Sequence, residues 1–299
     1  MESYAGELAA LLTALFWTVT ALAFEAAGKR VGSLSLNLIR LCLGFAFLTI
    51  YLALFKGRPL PLDANIHQWF WLSLSGVIGL TLGDFFLFKA FILIGSRVSM
   101  LIMATVPPLT ALIGWLVMGE TLTPMNLVGM TLVVGGITLV ILQRSEDQKQ
   151  VVLSRPLSGI LIAFGGAIGQ AVGLVLSKYG MGDYDAFAAT QIRIIAGTAG
   201  FIVIITLFGL WRRVGSAVRD KKAMANMSLG AMFGPFLGVS FSLVAVKYTT
   251  AGVAATIMAI VPVLIIPPAV VFFKEKVTLR EVIGAIVAVA GVAVLFLLK

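Results

Sequence analysis

The chain has 299 residues, 60% hydrophobic and only 12% charged, with a mean hydropathy of +1.06; a soluble domain carries about twice that charge, so an ordinary soluble fold is excluded. The net charge of +9 would suit nucleic acid, but the basic residues lie between apolar runs and form no aromatic-laced patch. A single cysteine, Cys42, and a single histidine, His67, exclude a disulfide, a thiolate cluster and a multi-histidine metal site.

Ten apolar runs follow one another, at 5–27, 33–55, 68–90, 97–119, 124–143, 157–178, 186–210, 224–246, 251–273 and 279–298. Each is close to the roughly 20 residues that a helix needs to cross a hydrocarbon core of about 30 Å. A β-barrel needs alternating strands, and AVVFFK or GAIVAVAGVAVLFLL does not alternate. The first run is too long and too poor in N-terminal positive charge for a cleavable signal peptide, so it reads as a mature helix.

In chain order, the first span carries Trp17 at its middle and Glu25 near its end. The second carries Arg40 and Cys42, the latter read as a small apolar filler. His67, Trp69 and Trp71 open the third span and Trp211 follows the seventh, all at positions suited to interfacial anchors. Asp84 lies within the third span, with Lys89 five positions on. The fourth and ninth spans hold Pro107 and Pro262, which should kink them, with Glu120 and Glu275 just beyond. Gln170 and Lys178 belong to the sixth span, Gln191 and Arg193 to the seventh, and Lys247 to the end of the eighth.

Fifteen of the 22 lysines and arginines fall in the odd-numbered loops or at the span ends beside them, against five in or beside the even loops and at the C-terminus. The positive-inside rule puts the odd loops in the cytoplasm and both termini outside, in a multi-pass protein of a prokaryotic-type inner membrane.

IMATVPPL at 102–109 returns as IMAIVPVL at 257–264, an offset of 155. The same offset carries Gly79, Gly83, Glu120, Gly129 and Gly136 onto Gly234, Gly238, Glu275, Gly284 and Gly291, and an offset of 153 carries Arg40 onto Arg193. The chain is therefore a duplicated five-helix unit, residues 1–150 and 151–299, forming one transmembrane domain. Because five is odd, the second copy enters the membrane from the opposite side. The expected fold is an all-α integral membrane protein, ten transmembrane helices as two inverted repeats, a recurring plan of secondary transporters.

Three features recur in both halves: the arginine of each second helix (Arg40, Arg193), the mid-helix proline (Pro107, Pro262) and the glutamate past each fourth helix. The last stands in MGETLTPMNLVGMTLVVGG and FKEKVTLREVIGAIVAVAG. Together they resemble the drug/metabolite transporter superfamily, in its ten-helix EamA-type branch, across essentially the whole chain. That resemblance implies a carrier of small metabolites such as amino acids, nucleotide-linked sugars or drugs, in several cases an exporter.

Polar groups present in only one half have no architectural duplicate, and an ionisable group inside a span usually faces a cavity or a partner. Asp84, whose counterpart is Val239, is the sharpest case: a cavity carboxylate and candidate proton carrier, or half of a local ion pair with Lys89. Glu25 has Lys178 as its counterpart. Glu25 could pair with Arg40, and Arg193 with Asp183 or Asp185, as clasps or as gates. Trp17 corresponds to Gln170, and either could touch an organic solute.

The expectation is a carrier that moves a small organic solute outward by alternating access, coupled to protons, within the lipid bilayer and with no cofactor, metal or nucleic acid. A homodimer is left open, since glycine faces serve internal packing equally well. A pore is the alternative; an intramembrane enzyme lacks HExxH, GxSxG and sufficient His or Cys.

Overall fold

A computed structural model describes residues 4–118, 123–144, 151–153, 155–248, 254, 257–274 and 277–297. Eight helices among them are long and apolar enough to cross a membrane. These are Ala5–Val31, Ser33–Lys56, Ile66–Ile94, Ser96–Ile113, Pro124–Ile141, Leu157–Met181, Ala186–Leu207 and Lys221–Tyr248. The ninth span is divided into Val261–Leu264 and Ile266–Phe273, and the tenth is Leu279–Leu297. Helices suit these segments because hydrocarbon offers no partner for a free N–H or C=O, so the backbone must satisfy itself locally. Hydroxyls obey the same demand: Thr13, Thr18, Thr49 and Thr190 each donate to the carbonyl four residues back. The first two spans are joined through Gly32 alone and the third and fourth through Gly95 alone, at φ of 79° and 83° that a side chain would strain.

Close glycine contacts show that the repeats are inverted. A Cβ on Gly136 would lie 2.6 Å from the Gly284 carbonyl oxygen, and one on Gly291 would lie 2.8 Å from the Gly129 carbonyl oxygen. Since 284 is 129 plus 155 and 291 is 136 plus 155, each glycine meets the counterpart of the other. Only a two-fold axis through this fifth–tenth crossing gives that exchange, and it makes the helices antiparallel. The same axis relates two further contacts. Gly83 lies on Gly169 and Gly79 on Gly173, packing the third span antiparallel to the sixth; Gly238 on Trp17 and Gly234 on Thr20 pack the eighth on the first.

The third and eighth spans are not continuous α-helices. Gly76–Gly83 and Met232–Gly238 are wound as π-helix, at corresponding places in the two halves. Glycine-rich GVIGLTLG and proline-containing MFGPFLG weaken the α ladder there, and such turns recur at functional sites. The fourth span breaks at Ala104–Thr105 and the ninth at Ala259–Ile260, with Pro107 and Pro262 opening the helices that follow. What the sequence predicts as kinks are therefore breaks, bridged by N–H bonds from Ala104 and Thr105 to carbonyls three residues back.

Two features depart from the sequence reading. The seventh span ends at Leu207, and Trp211–Arg219 forms a separate amphipathic helix, with Val214 and Ala217 buried and Arg212 and Arg213 exposed. Between the repeats, Leu142–Arg144 pairs antiparallel with Val151–Leu153.

Candidate functional site

The interior between the halves holds a cavity of about 160 Å³, walled by the first, second, third, fourth, sixth, seventh, eighth and ninth spans. Its π-helical and broken segments bring backbone close: Gly234 and Pro235 line it from the eighth span, Ala104 and Pro107 from the fourth, Ala259 and Pro262 from the ninth. Most of the wall is apolar, with Trp17, Phe24, Phe88 and Phe91 forming an aromatic side. Three ionisable groups line it among the described residues: Arg40, Asp84 and Arg193.

Asp84 is at the centre of the polar cluster. Its Oδ2 accepts from Arg40 Nη2 at 2.5 Å and its Oδ1 accepts from Gln170 Nε2 at 2.5 Å. Gln170 also donates to the Gly79 carbonyl at 3.3 Å, a group within the π-helical turn. Arg40 Nε donates to Asn37 Oδ1 at 2.9 Å, and the guanidinium carbon stands 4.6 Å from the Phe88 ring centre and 5.9 Å from that of Phe24. Charge, amide and two aromatic faces thus fix Arg40 in one place. Arg193 is also buried, and its Nε has no hydrogen-bond partner.

The fold brings Asp84, Gln170, Trp17, Arg40, Arg193, Pro107 and Pro262 around one cavity. It does not bring Glu25, Lys89 or Lys178 there. Glu25 is buried, receives Lys29 four residues on and accepts the Ser96 N–H at 2.7 Å, capping the fourth span. The pairing of Glu25 with Arg40 is therefore corrected: the second span faces the third at that depth, and Asp84 takes the arginine. Arg193 likewise bonds to neither Asp183 nor Asp185; Asp185 instead caps the seventh span and meets Lys56 at 3.1 Å. Lys89 is exposed, its Nζ 5.8 Å from the Phe85 ring centre, and Lys178 is exposed too. Gln191 donates to Thr49 and to the Pro59 carbonyl, away from the cavity. Glu120 and Glu275 lie outside the described residues.

Around the loops on the side away from Glu25, Tyr184 donates to Asp63 at 2.8 Å, and Asp63 meets Arg58 at 2.6 Å. Burial and then the Asp63 carboxylate push the Tyr184 phenol above its ordinary pKa. Trp71 lies edge-on to Tyr179, with His67 on the same tyrosine, an aromatic group at the span ends.

The sequence reading does not single out Asn37, Phe24 or Phe88. For Asn37 a signal exists, because its counterpart is Thr190 and a polar difference between the halves is informative. Phe24 and Phe88 carry none, being two of twenty phenylalanines in an apolar chain.

In comparisons with known proteins, no curated protein matches the sequence. A solved structure, described only as the crystal structure of a protein, is 20% identical and aligns over 99% of this chain and 98% of its own at a TM-score of 0.70. At that identity the likeness shows the fold alone. Residues 4–142 and 157–297 each match the EamA-like transporter family. The two matched segments follow the five-helix repeat and together take up most of the chain, which therefore belongs to the EamA-like transporter family of membrane proteins.

Proposed function

We propose that this protein is a secondary carrier that moves a small organic solute across the membrane by alternating access, with the central cavity as its binding site. The observation that carries this reading is the Gln170–Asp84–Arg40 cluster, in which the second half supplies the amide and the first half the ion pair. Rocking of one half against the other must break or remake the Gln170 bond. Cavity occupancy and the relative position of the halves are then linked, as alternating access requires. The breaks at Ala104–Thr105 and Ala259–Ile260 supply matching hinge points beside the cavity.

Asp84 is the coupling group in this proposal. A proton on its carboxyl removes the charge that holds Arg40 and rearranges the acceptor that holds Gln170, so one protonation event loosens contacts in both halves. Outward movement is the direction carried over from the family resemblance, and a prokaryotic-type inner membrane is the proposed location. The test is counterflow in proteoliposomes with a panel of metabolites under an imposed pH gradient. Asp84→Asn should unfold at a lower temperature but still cooperatively, and should lose the response of flux to the gradient. A gradient response in Asp84→Asn equal to that of the unsubstituted protein rejects the coupling role.

A further inference from the structure

The two halves place an arginine at the same point of the fold and then treat it differently. Arg40 and Arg193 are counterparts at an offset of 153, and both line the cavity. Arg40 is fully served: Asp84 takes its Nη2 and Asn37 its Nε. Around Arg193 both partners are replaced. The counterpart of Asp84 is Val239, which lines the cavity and carries no charge. The counterpart of Asn37 is Thr190, whose hydroxyl donates to the Ala186 carbonyl at 2.8 Å and leaves Arg193 Nε without an acceptor. Arg193 is only 4% exposed, and no hydrogen bond from its guanidinium to a described residue exists. Gly79 gives it room, since a Cβ there would lie 3.4 Å from Arg193 Nη2. Asp84 attracts Arg193 through space but gives its two oxygens to Arg40 and Gln170, so the buried Arg193 guanidinium has no bonded acceptor, a costly state unless something else supplies one.

We infer that the cavity takes a small organic anion whose carboxylate docks on Arg193, in the place that Asp84 holds against Arg40. The inference rests on the carrier reading and narrows its substrate class. Among the described lining residues the ionisable groups are two arginines and one aspartate, which leave one positive charge for the ligand to balance. A planar fork of N–H donors binds a carboxylate through two parallel hydrogen bonds. The remaining wall, with Trp17, Met103, Val239 and Met258, suits an apolar or aromatic body. A ligand ammonium finds no counter-charge, because the one carboxylate among the described lining residues has its two oxygens taken by Gln170 and Arg40. The site thus favours a monoanion over a zwitterion.

Three probes of one shape test this on the purified full-length protein: phenylacetate as anion, phenylacetamide as neutral analogue and phenethylamine as cation, titrated calorimetrically. Phenylacetate should bind at least about tenfold more tightly than the amide, the scale of a charge-assisted contact, and the amine should not compete. Arg193→Gln should erase that preference and Arg193→Lys should keep part of it. Val239→Asp supplies the missing carboxylate from the protein itself, so it should abolish phenylacetate binding while leaving the empty protein at least as stable to heat. Absence of phenylacetate binding, equal binding of the amide, or an anion preference that survives Val239→Asp overturns the inference; this last variant decides even where Arg193→Gln fails to fold. Counterflow in proteoliposomes separates the two levels. Counterflow of the neutral or cationic probe without the anion rejects the anion site and keeps the carrier. Phenylacetate binding with no counterflow of any probe keeps the site and rejects the carrier.

Discussion

Arg40 and Asp84 stand 44 positions apart in sequence and 2.5 Å apart in the fold, with side chains only 2% and 8% exposed. Removing one partner of such a pair strands a charge away from water, at a cost of about 3–5 kcal/mol, whereas removing both leaves two neutral groups. Arg40→Gln should therefore lower the midpoint of thermal unfolding in detergent more than the double substitution Arg40→Gln with Asp84→Asn. Equal loss in the two proteins would mean that the pair contributes by packing alone.

Gly284 meets Gly136 where the fifth and tenth spans cross, and the Gly136 Cβ position lies 2.6 Å from the Gly284 oxygen and from the Ala288 nitrogen. Gly136→Leu should force the helices apart and cut the yield of monodisperse protein severalfold, because close backbone approach supplies the packing that lipid cannot. The neighbouring Gly135 has open space around its Cβ position, so Gly135→Ala should express normally. Size-exclusion profiles of both variants check the contrast.

Asp220 lies between the short helix Trp211–Arg219 and the helix that opens the eighth span. The Ala223 N–H, followed by the Arg30 side chain, holds its carboxyl below the ordinary aspartate pKa, and it caps the helix that opens the eighth span. A group with a depressed folded-state pKa contributes stability above its unfolded value of about 3.9 and loses it as pH falls through the folded value. Asp220→Asn should thus be less heat-stable than the unsubstituted protein at pH 7, and the gap should close below pH of about 4. Thermal unfolding across that pH range measures it; a constant gap would exclude the linkage.

By the positive-inside rule, the excess of basic residues in the odd loops predicts that those loops face the cytoplasm. With Cys42 replaced by alanine, a cysteine at Ser216, on the short helix after the seventh span, should react with a membrane-impermeant maleimide only from the cytoplasmic side. A reporter fused after Lys299 should be active on the opposite side. Reversal of both results would reverse the assigned topology.

The sequence alone determined the ten apolar spans, the repeat and its inversion. Each rests on local chemistry: hydrocarbon demands that every segment close its own hydrogen bonds, and an odd number of crossings fixes the sense of the second copy. Asp84 and Gln170 were legible as candidate site residues because their counterparts, Val239 and Trp17, differ from them. Tertiary structure decided who pairs with whom. The sequence offers Glu25 to Arg40 and Lys89 to Asp84, and only the crossing of the second span with the third gave the arginine to Asp84 and left Glu25 to cap Ser96. The aromatic clasp was equally hidden. Phe24 is 1% exposed beneath Arg40 while Phe55 is 72% exposed, yet in a chain bathed in hydrocarbon both read as the same apolar letter. A lipid-facing side is as apolar as a core, so hydrophobicity cannot tell the two apart, and contact between distant helices must.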